Sequence, residues 1–163
     1  MKIGILSDSH DNYSNVQKAI DVFNDREAEV VLHSGDFVSS STVSQFSQLQ
    51  TARFVGVFGN CDHGKQGMKR AAAAFGGEIH SGIFTGELDG AKVFMTHCCS
   101  VVDEVASNGL YDLVVYGHTH KRDIRRVSNA LVVNPGETAE LSFGQTSIVM
   151  LDTASMDYDV IKL

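Results

Sequence analysis

Lys2-Ile3-Gly4-Ile5-Leu6-Ser7-Asp8-Ser9-His10 starts as a short apolar run and ends in four polar residues. A run this short, without polar alternation, reads as a strand buried on both faces, the habit of strands in parallel sheets. The same grammar recurs four times. Glu29–His33 runs into Ser34-Gly35-Asp36, Arg53–Phe58 into Gly59-Asn60-Cys61-Asp62, Lys92–Thr96 into His97, and Leu113–Tyr116 into Gly117-His118-Thr119-His120. Ligands of open α/β sheets bind beyond the carboxyl ends of the strands. Five such exits are therefore expected to bring Asp, Asn and His side chains together.

Helical patterns lie between the strands. Val16, Ala19, Ile20 and Phe23 follow the spacing of one helix face, with Ser14 and Gln17 placed as a capping box. Thr42 and Gln45 predict the start of a second helix that turns Val43, Phe46 and Leu49 inward. Met68, Ala71, Ala72 and Phe75 mark a third, stopped by Gly76-Gly77. Ser100 with Asp103 predicts a fourth that ends near Asn108-Gly109. Asp89-Gly90, between Ile83–Leu88 and Ala91–Met95, is a strong hairpin signal, and Ser128-Asn129 a weaker one. Ser147–Leu151 and Tyr158–Ile161 read as closing strands. Mixed sheets with helices outside predict an α/β layered sandwich. With one proline, no linker and no repeat, residues 1–163 are expected to form a single domain.

A net charge of −7 argues against nonspecific nucleic-acid binding, which needs a basic face. It leaves a phosphate substrate open, because bound metal ions reverse the local sign. No segment is expected to span a bilayer, and the apolar run at Ile3–Leu6 is too short for a signal-peptide core. Cys61, Cys98 and Cys99 form no disulfide framework, so the expected home is a reducing cytoplasm. Short apolar-rich edges such as Ile124–Val133 are compatible with a homodimer.

The spacing at the exits has chemical meaning. Asp8 and His10 are two apart, as are His118 and His120. In near-extended backbone such pairs project to one side and can address one site. Gly35, Gly59 and Gly117 each precede the polar residue and allow the backbone close approach. Imidazole, carboxylate and amide ligands without thiolate suit divalent manganese, iron, zinc or nickel.

In this order the motifs Asp8-x-His10, Gly35-Asp36, Gly59-Asn60-Cys61-Asp62, His97 and Gly117-His118-Thr119-His120 resemble those of the calcineurin-like metallophosphoesterases. Asn134-Pro135-Gly136-Glu137 and the short length look like the small YfcE-type bacterial and archaeal phosphodiesterases. The resemblance implies a four-layer α/β/β/α sandwich with two mixed sheets. It also implies two divalent ions, manganese first, with nickel, iron, zinc or magnesium as alternatives. Asp8, His10 and His120 would hold one ion and Asn60, His97 and His118 the other, with Asp36 shared. A hydroxide between the ions would attack a small phosphoester. Two dications, two carboxylates and that hydroxide leave a formal charge of about +1, which a phosphodiester monoanion neutralises.

The chain departs from the pattern in two places. Cys61 stands where many relatives have a His thought to protonate the leaving group. It is the candidate for that catalytic role, with a spectator or an extra metal ligand as alternatives and His63 as a stand-in acid. Cys98-Cys99 replaces a flexible residue and a second His. Blander readings exist for single residues. Asp8, Asp36 and Asn60 could cap helices or shape turns. His33 reads as a hydrogen-bonded structural histidine and His80 as a surface residue. Lys121, Arg122, Arg125 and Arg126 read as a solvated hairpin face, or as a guide for anionic substrate. The other function classes are a protein-interaction scaffold of the same fold, like the retromer subunit vacuolar protein sorting-associated protein 29, and a thiol sensor built on Cys98-Cys99. The sensor lacks C-x-x-C spacing.

Overall fold

The computed structural model describes residues 1–163. Eleven strands form two mixed sheets. In the first, β1 (Lys2–Leu6), β2 (Val30–His33), β3 (Arg53–Val57) and β4 (Glu78–His80) run parallel, and β10 (Ser147–Asp152) and β11 (Tyr158–Lys162) extend the sheet antiparallel beside β1. In the second, β6 (Ala91–Thr96), β7 (Leu113–Val115) and β9 (Ala130–Asn134) run parallel. They are flanked by antiparallel β5 (Ile83–Leu88) and β8 (Asp123–Val127).

Strand alternation sorts the apolar residues into layers. Ile3, Ile5, Leu32, Val55 and Val57 face Val93, Met95, Leu113, Val115, Leu131 and Val133 across the space between the sheets. Their neighbours Leu6, Val31 and Phe54 point the other way and pack under α1 (Tyr13–Asp25), α2 (Ser40–Gln45) and α3 (Lys65–Ala73). On the far side, Phe94, Val114 and Val132 are covered by Val102 and Ala106 of α4 (Val102–Ser107). Both faces of the central strands are thus covered, which is why their sequences show no polar alternation. The result is the expected α/β/β/α sandwich, with a single short helix as its outer layer on the second sheet.

The helix starts differ from expectation. Asn12, not Ser14, caps α1: its Oδ1 accepts the Asn15 N–H at 3.1 Å. Gln17 turns to Asp21. Ser39 caps α2 through the Thr42 N–H, so that helix begins before Thr42. No side chain caps α4, and Asp103 bonds Arg125 rather than closing a box with Ser100. In each case a side chain in the preceding loop, or one from a distant strand, outcompeted the local pairing. The turns fare better. Asp89 and Gly90 both take positive φ, as a tight hairpin requires, and the Gly77 N–H returns to Ala72 at the end of α3. Strand β4 was not anticipated. It carries His80, half-buried beside Glu78 rather than on the surface. No helix is long and apolar enough to cross a membrane.

Candidate metal centre

The carboxyl ends of β1, β2, β3, β6, β7 and β9 open onto one place, and their turns are knitted together. Asp8 N–H donates to Gly35, His10 N–H to Asp36, Gly117 N–H to His97 and Ala139 N–H to Asp8. The chain leaves these strands abruptly. Asp8, His10, Asp36, His118 and His120 all have positive φ, between 38° and 72°. The expectation that the paired residues project from near-extended backbone is therefore corrected: left-handed turns aim them. Such conformations cost roughly 1–2 kcal/mol each for residues with a side chain and persist where surrounding structure imposes them. The glycines answer a need for space. A Cβ at Gly59 would collide with the Asp36 carboxylate, and one at Gly117 with Ser7.

Seven side chains converge. Ligand atoms of Asp8, His10, Asp36 and His120 all lie within 4.8 Å of one another. His97 Nε2 lies 3.4 Å from Asp36 Oδ2 and 3.0 Å from Asn60 Oδ1. His118 Nδ1 lies 2.9 Å from the same Asn60 oxygen. The arrangement fits a cation on two counts. His10 Nε2 is buried without a hydrogen-bond partner, 3.5 Å from Asp36. His97 Nδ1 donates to the Ser34 carbonyl at 2.8 Å, and His120 Nδ1 donates to Glu137 at 2.7 Å. Each neutral ring therefore aims its Nε2 lone pair at oxygen acceptors, Asp36 and Asn60 for one and Asp8 for the other. Lone pairs facing lone pairs attract a positive charge.

The titration behaviour reports the same crowding. Burial dominates at Asp8 and raises its pKa, despite the Ser7 hydroxyl bonded to it at 2.6 Å. At Asp36 burial pushes the same way but is outweighed by His97 and the Cys61 N–H, and the carboxyl falls well below its usual range. Burial also opposes charge on His97, yet Asp36 and Asp8 raise its pKa. The pocket that favours a proton on His97 favours a metal ion in the same way.

Two carboxylates that the sequence reading left without a role support this cluster. Glu137, fully buried at the exit of β9, accepts the N–H groups of Leu141, Ser142 and Phe143 as well as His120. A carboxylate behind a ligating histidine sets its tautomer and orientation. Asp62 accepts the N–H groups of Asp36, Gly59 and Val38, tying the exits of β2 and β3 to one side chain. The spacing of an acidic residue two positions after Asn60 was visible in the sequence, but its backbone partners were not.

The remaining candidates separate. His33 is buried and stacked on Phe37, with Nδ1 accepting the Gly35 N–H and Nε2 bonded to Ser9, the structural role expected of it. Burial, with His97 nearby, lowers its pKa to about 3. Cys61 sits at the cluster, its N–H on Asp36, and burial together with that carboxylate pushes its thiol up to about 11. His63 is exposed and lines a separate recess with Val38 and Met68. Cys98 and Cys99 are free and exposed, and Cys98 bonds Ser100. In the basic segment Arg125 pairs with Asp103 and Asp123, whereas Lys121 lies over the Phe143 ring.

A model of the calcineurin-like phosphoesterase superfamily domain matches residues 1–156. A phosphodiesterase of Methanocaldococcus jannaschii is 40% identical over 166 residues, covering 100% of this chain and 99% of the relative. A solved archaeal phosphodiesterase superposes with a TM-score of 0.95 at 40% identity, covering 100% of both chains. The E. coli phosphoesterase YfcE superposes at 0.71 with 18% identity, over 99% of this chain and 98% of its own, a likeness of fold alone.

Proposed function

The chain belongs to the calcineurin-like phosphoesterase superfamily and is a hydrolase of phosphoester bonds, and from that premise we propose a two-metal phosphodiesterase acting on small phosphoesters. Asp8, His10 and His120 would hold one divalent ion and Asn60, His97 and His118 the other, and Asp36 could serve both because a carboxylate offers several lone pairs. The observation that carries this reading is the buried, unpartnered His10 Nε2 beside Asp36. When bound, such ions supply positive charge to the phosphoryl oxygens and activate a water for attack on phosphorus.

The protein residues do the rest. Glu137 keeps the His120 proton on Nδ1, leaving Nε2 free to ligate. Ser7 and the His118 N–H hold the Asp8 carboxylate in place. In the reaction, water oxygen bonds to phosphorus, the ester bond opposite it breaks, and the departing oxygen takes up a proton. Without metal, burial and Asp36 push the Cys61 thiol up to about 11, which keeps it protonated at neutral pH and makes it a weak proton donor. The cationic centre suits a diester monoanion, and the nitrogen–oxygen ligand set suits Mn²⁺ or a neighbouring first-row dication. Three free cysteines fit a reducing cytoplasm.

The test is metal analysis of purified protein, followed by hydrolysis of bis(p-nitrophenyl) phosphate with added Mn²⁺. We expect two ions per chain and metal-dependent turnover. A protein that takes up no divalent ion and hydrolyses nothing would instead be an interaction scaffold of this fold.

A further inference from the structure

The metal cluster opens on two unlike sides. Beside His97 and His118 lies a recess walled by Phe58, Gly82, Ile83 and Cys98, with no Lys, Arg, Asp or Glu in its lining. Beside His120 lies another, of about 420 Å³, lined by His120, Lys121, Arg122, Phe143, Gln145 and Ser147. On a chain of net charge −7, this second recess gathers two cations with no carboxylate in its lining. Neither Lys121 nor Arg122 forms an ion pair, whereas Arg125, three residues after Arg122, is held by Asp103 and Asp123. Phe143 is half exposed, and the Lys121 ammonium lies 5.0 Å from its ring centre.

The recess is also tied to the cluster. Buried Glu137 accepts the Phe143 N–H with one oxygen and holds the His120 ring with the other. Ser142 reaches the same His120 nitrogen at 3.0 Å. The carboxylate that orients a metal-ligand candidate thus positions the aromatic residue as well.

Resting on the phosphodiesterase reading above, we propose that this recess binds the part of the substrate beyond the scissile phosphate, and that this part carries a second phosphate next to an aromatic ring. Lys121 and Arg122 take the phosphate; the guanidinium fork suits its oxygens. The free face of Phe143 takes the ring, with Gln145 as a neutral hydrogen-bonding group at the wall. A nucleotide with a phosphate at each end has this chemistry, as does any aryl diester with a second phosphate in reach.

The experiment compares kcat/KM for methyl p-nitrophenyl phosphate and for thymidine 3′-phosphate 5′-(p-nitrophenyl phosphate), with Mn²⁺ present. The wild-type protein should favour the second by about tenfold or more. Lys121→Ala and Arg122→Ala should each cut that ratio by about tenfold, mainly through KM, the size of one lost charge-assisted hydrogen bond. Phe143→Ala should cut it by about threefold, and Phe143→Tyr should restore it. Arg126→Ala, outside the recess, should leave it unchanged. A wild-type ratio near one, or a ratio unchanged from wild type in both cation variants, overturns the proposal while leaving the phosphodiesterase reading intact. Calorimetric binding of thymidine 3′,5′-bisphosphate supplies a readout without turnover. If neither diester is hydrolysed, the phosphodiesterase reading falls, and equal binding by wild type and both cation variants would still overturn the recess.

Discussion

Asp8 and Asp36 are buried and His10 and His120 half-buried, whereas Asn60 and His118 stand exposed at the rim and only His97 of that half is buried. The inner half has two carboxylates, and an extra one, Glu137, behind its histidine. The rim half contributes a neutral amide and two imidazoles and borrows Asp36. Coulomb attraction in a poorly screened site favours the inner half strongly; solvent weakens it at the rim. If the proposed pair of ions binds, the inner one should be held tightly and the outer one should exchange with the medium.

Several substitutions can break or sharpen this contrast. The largest effect is expected at the shared ligand. Asp36→Ala should lower turnover by about a thousandfold, comparable with loss of a principal electrostatic group, and leave little bound metal. Normal metal content in that variant would contradict the sharing. Asn60→Ala should come next, with a loss of roughly a hundredfold and, more tellingly, one tightly bound ion per chain instead of two. Elemental analysis after gel filtration reads this directly, and loss of both ions together would erase the distinction between halves.

Glu137→Gln probes the inner half from behind. Metal affinity there should fall 10- to 100-fold, as for other groups that orient a ligating histidine, while the rim ion is less affected. A competition titration with a fluorescent chelator would separate the two. Acid exposes the depth of the inner half differently. His33 has its pKa lowered by burial to about 3, so between the unfolded value near 6.5 and about 3 the unfolded chain binds the extra proton. The His33 contribution to stability is then full above 6.5 and falls with acidification by about 1.4 kcal/mol per pH unit. Urea unfolding of metal-free protein at pH 7 and pH 5 checks the slope, and His33→Gln should flatten it. The smallest effect is expected for Cys61→Ser, below about threefold at pH 7, since Cys61 reaches Asp36 through its backbone N–H, which a serine keeps. A collapse of the rate would restore Cys61 as the proton donor.

Much of this molecule could be read in advance because its central strands are covered on both faces. Ile3 to Leu6 and Val30 to Leu32 had to be continuous apolar runs, and their abrupt polar ends marked the sheet edge where the cluster lies. What stayed hidden depends on long-range partners. Strand β4 has one apolar residue, Ile79, and exists by pairing with β3 at Val55–Val57. Asn12 looks no better a cap than Ser14 until its amide is seen bonded to the Ala139 carbonyl. The role of Glu137 rests on three backbone N–H groups and a ring 17 residues away. The left-handed turns at Asp8 and His118 carry no signature, since Asp and His adopt them only where the surrounding chain demands it.

Asp62 gives the centre a mechanical property. Its two oxygens grip the backbone on both sides of Asp36 and at Gly59, so the turns that follow β2 and β3 move as one piece. A disturbance entering through either turn is handed to the other, and paired changes across them should depart from simple addition. The Asp36 carboxylate and the Asn60 amide are, in effect, mounted on a common bracket.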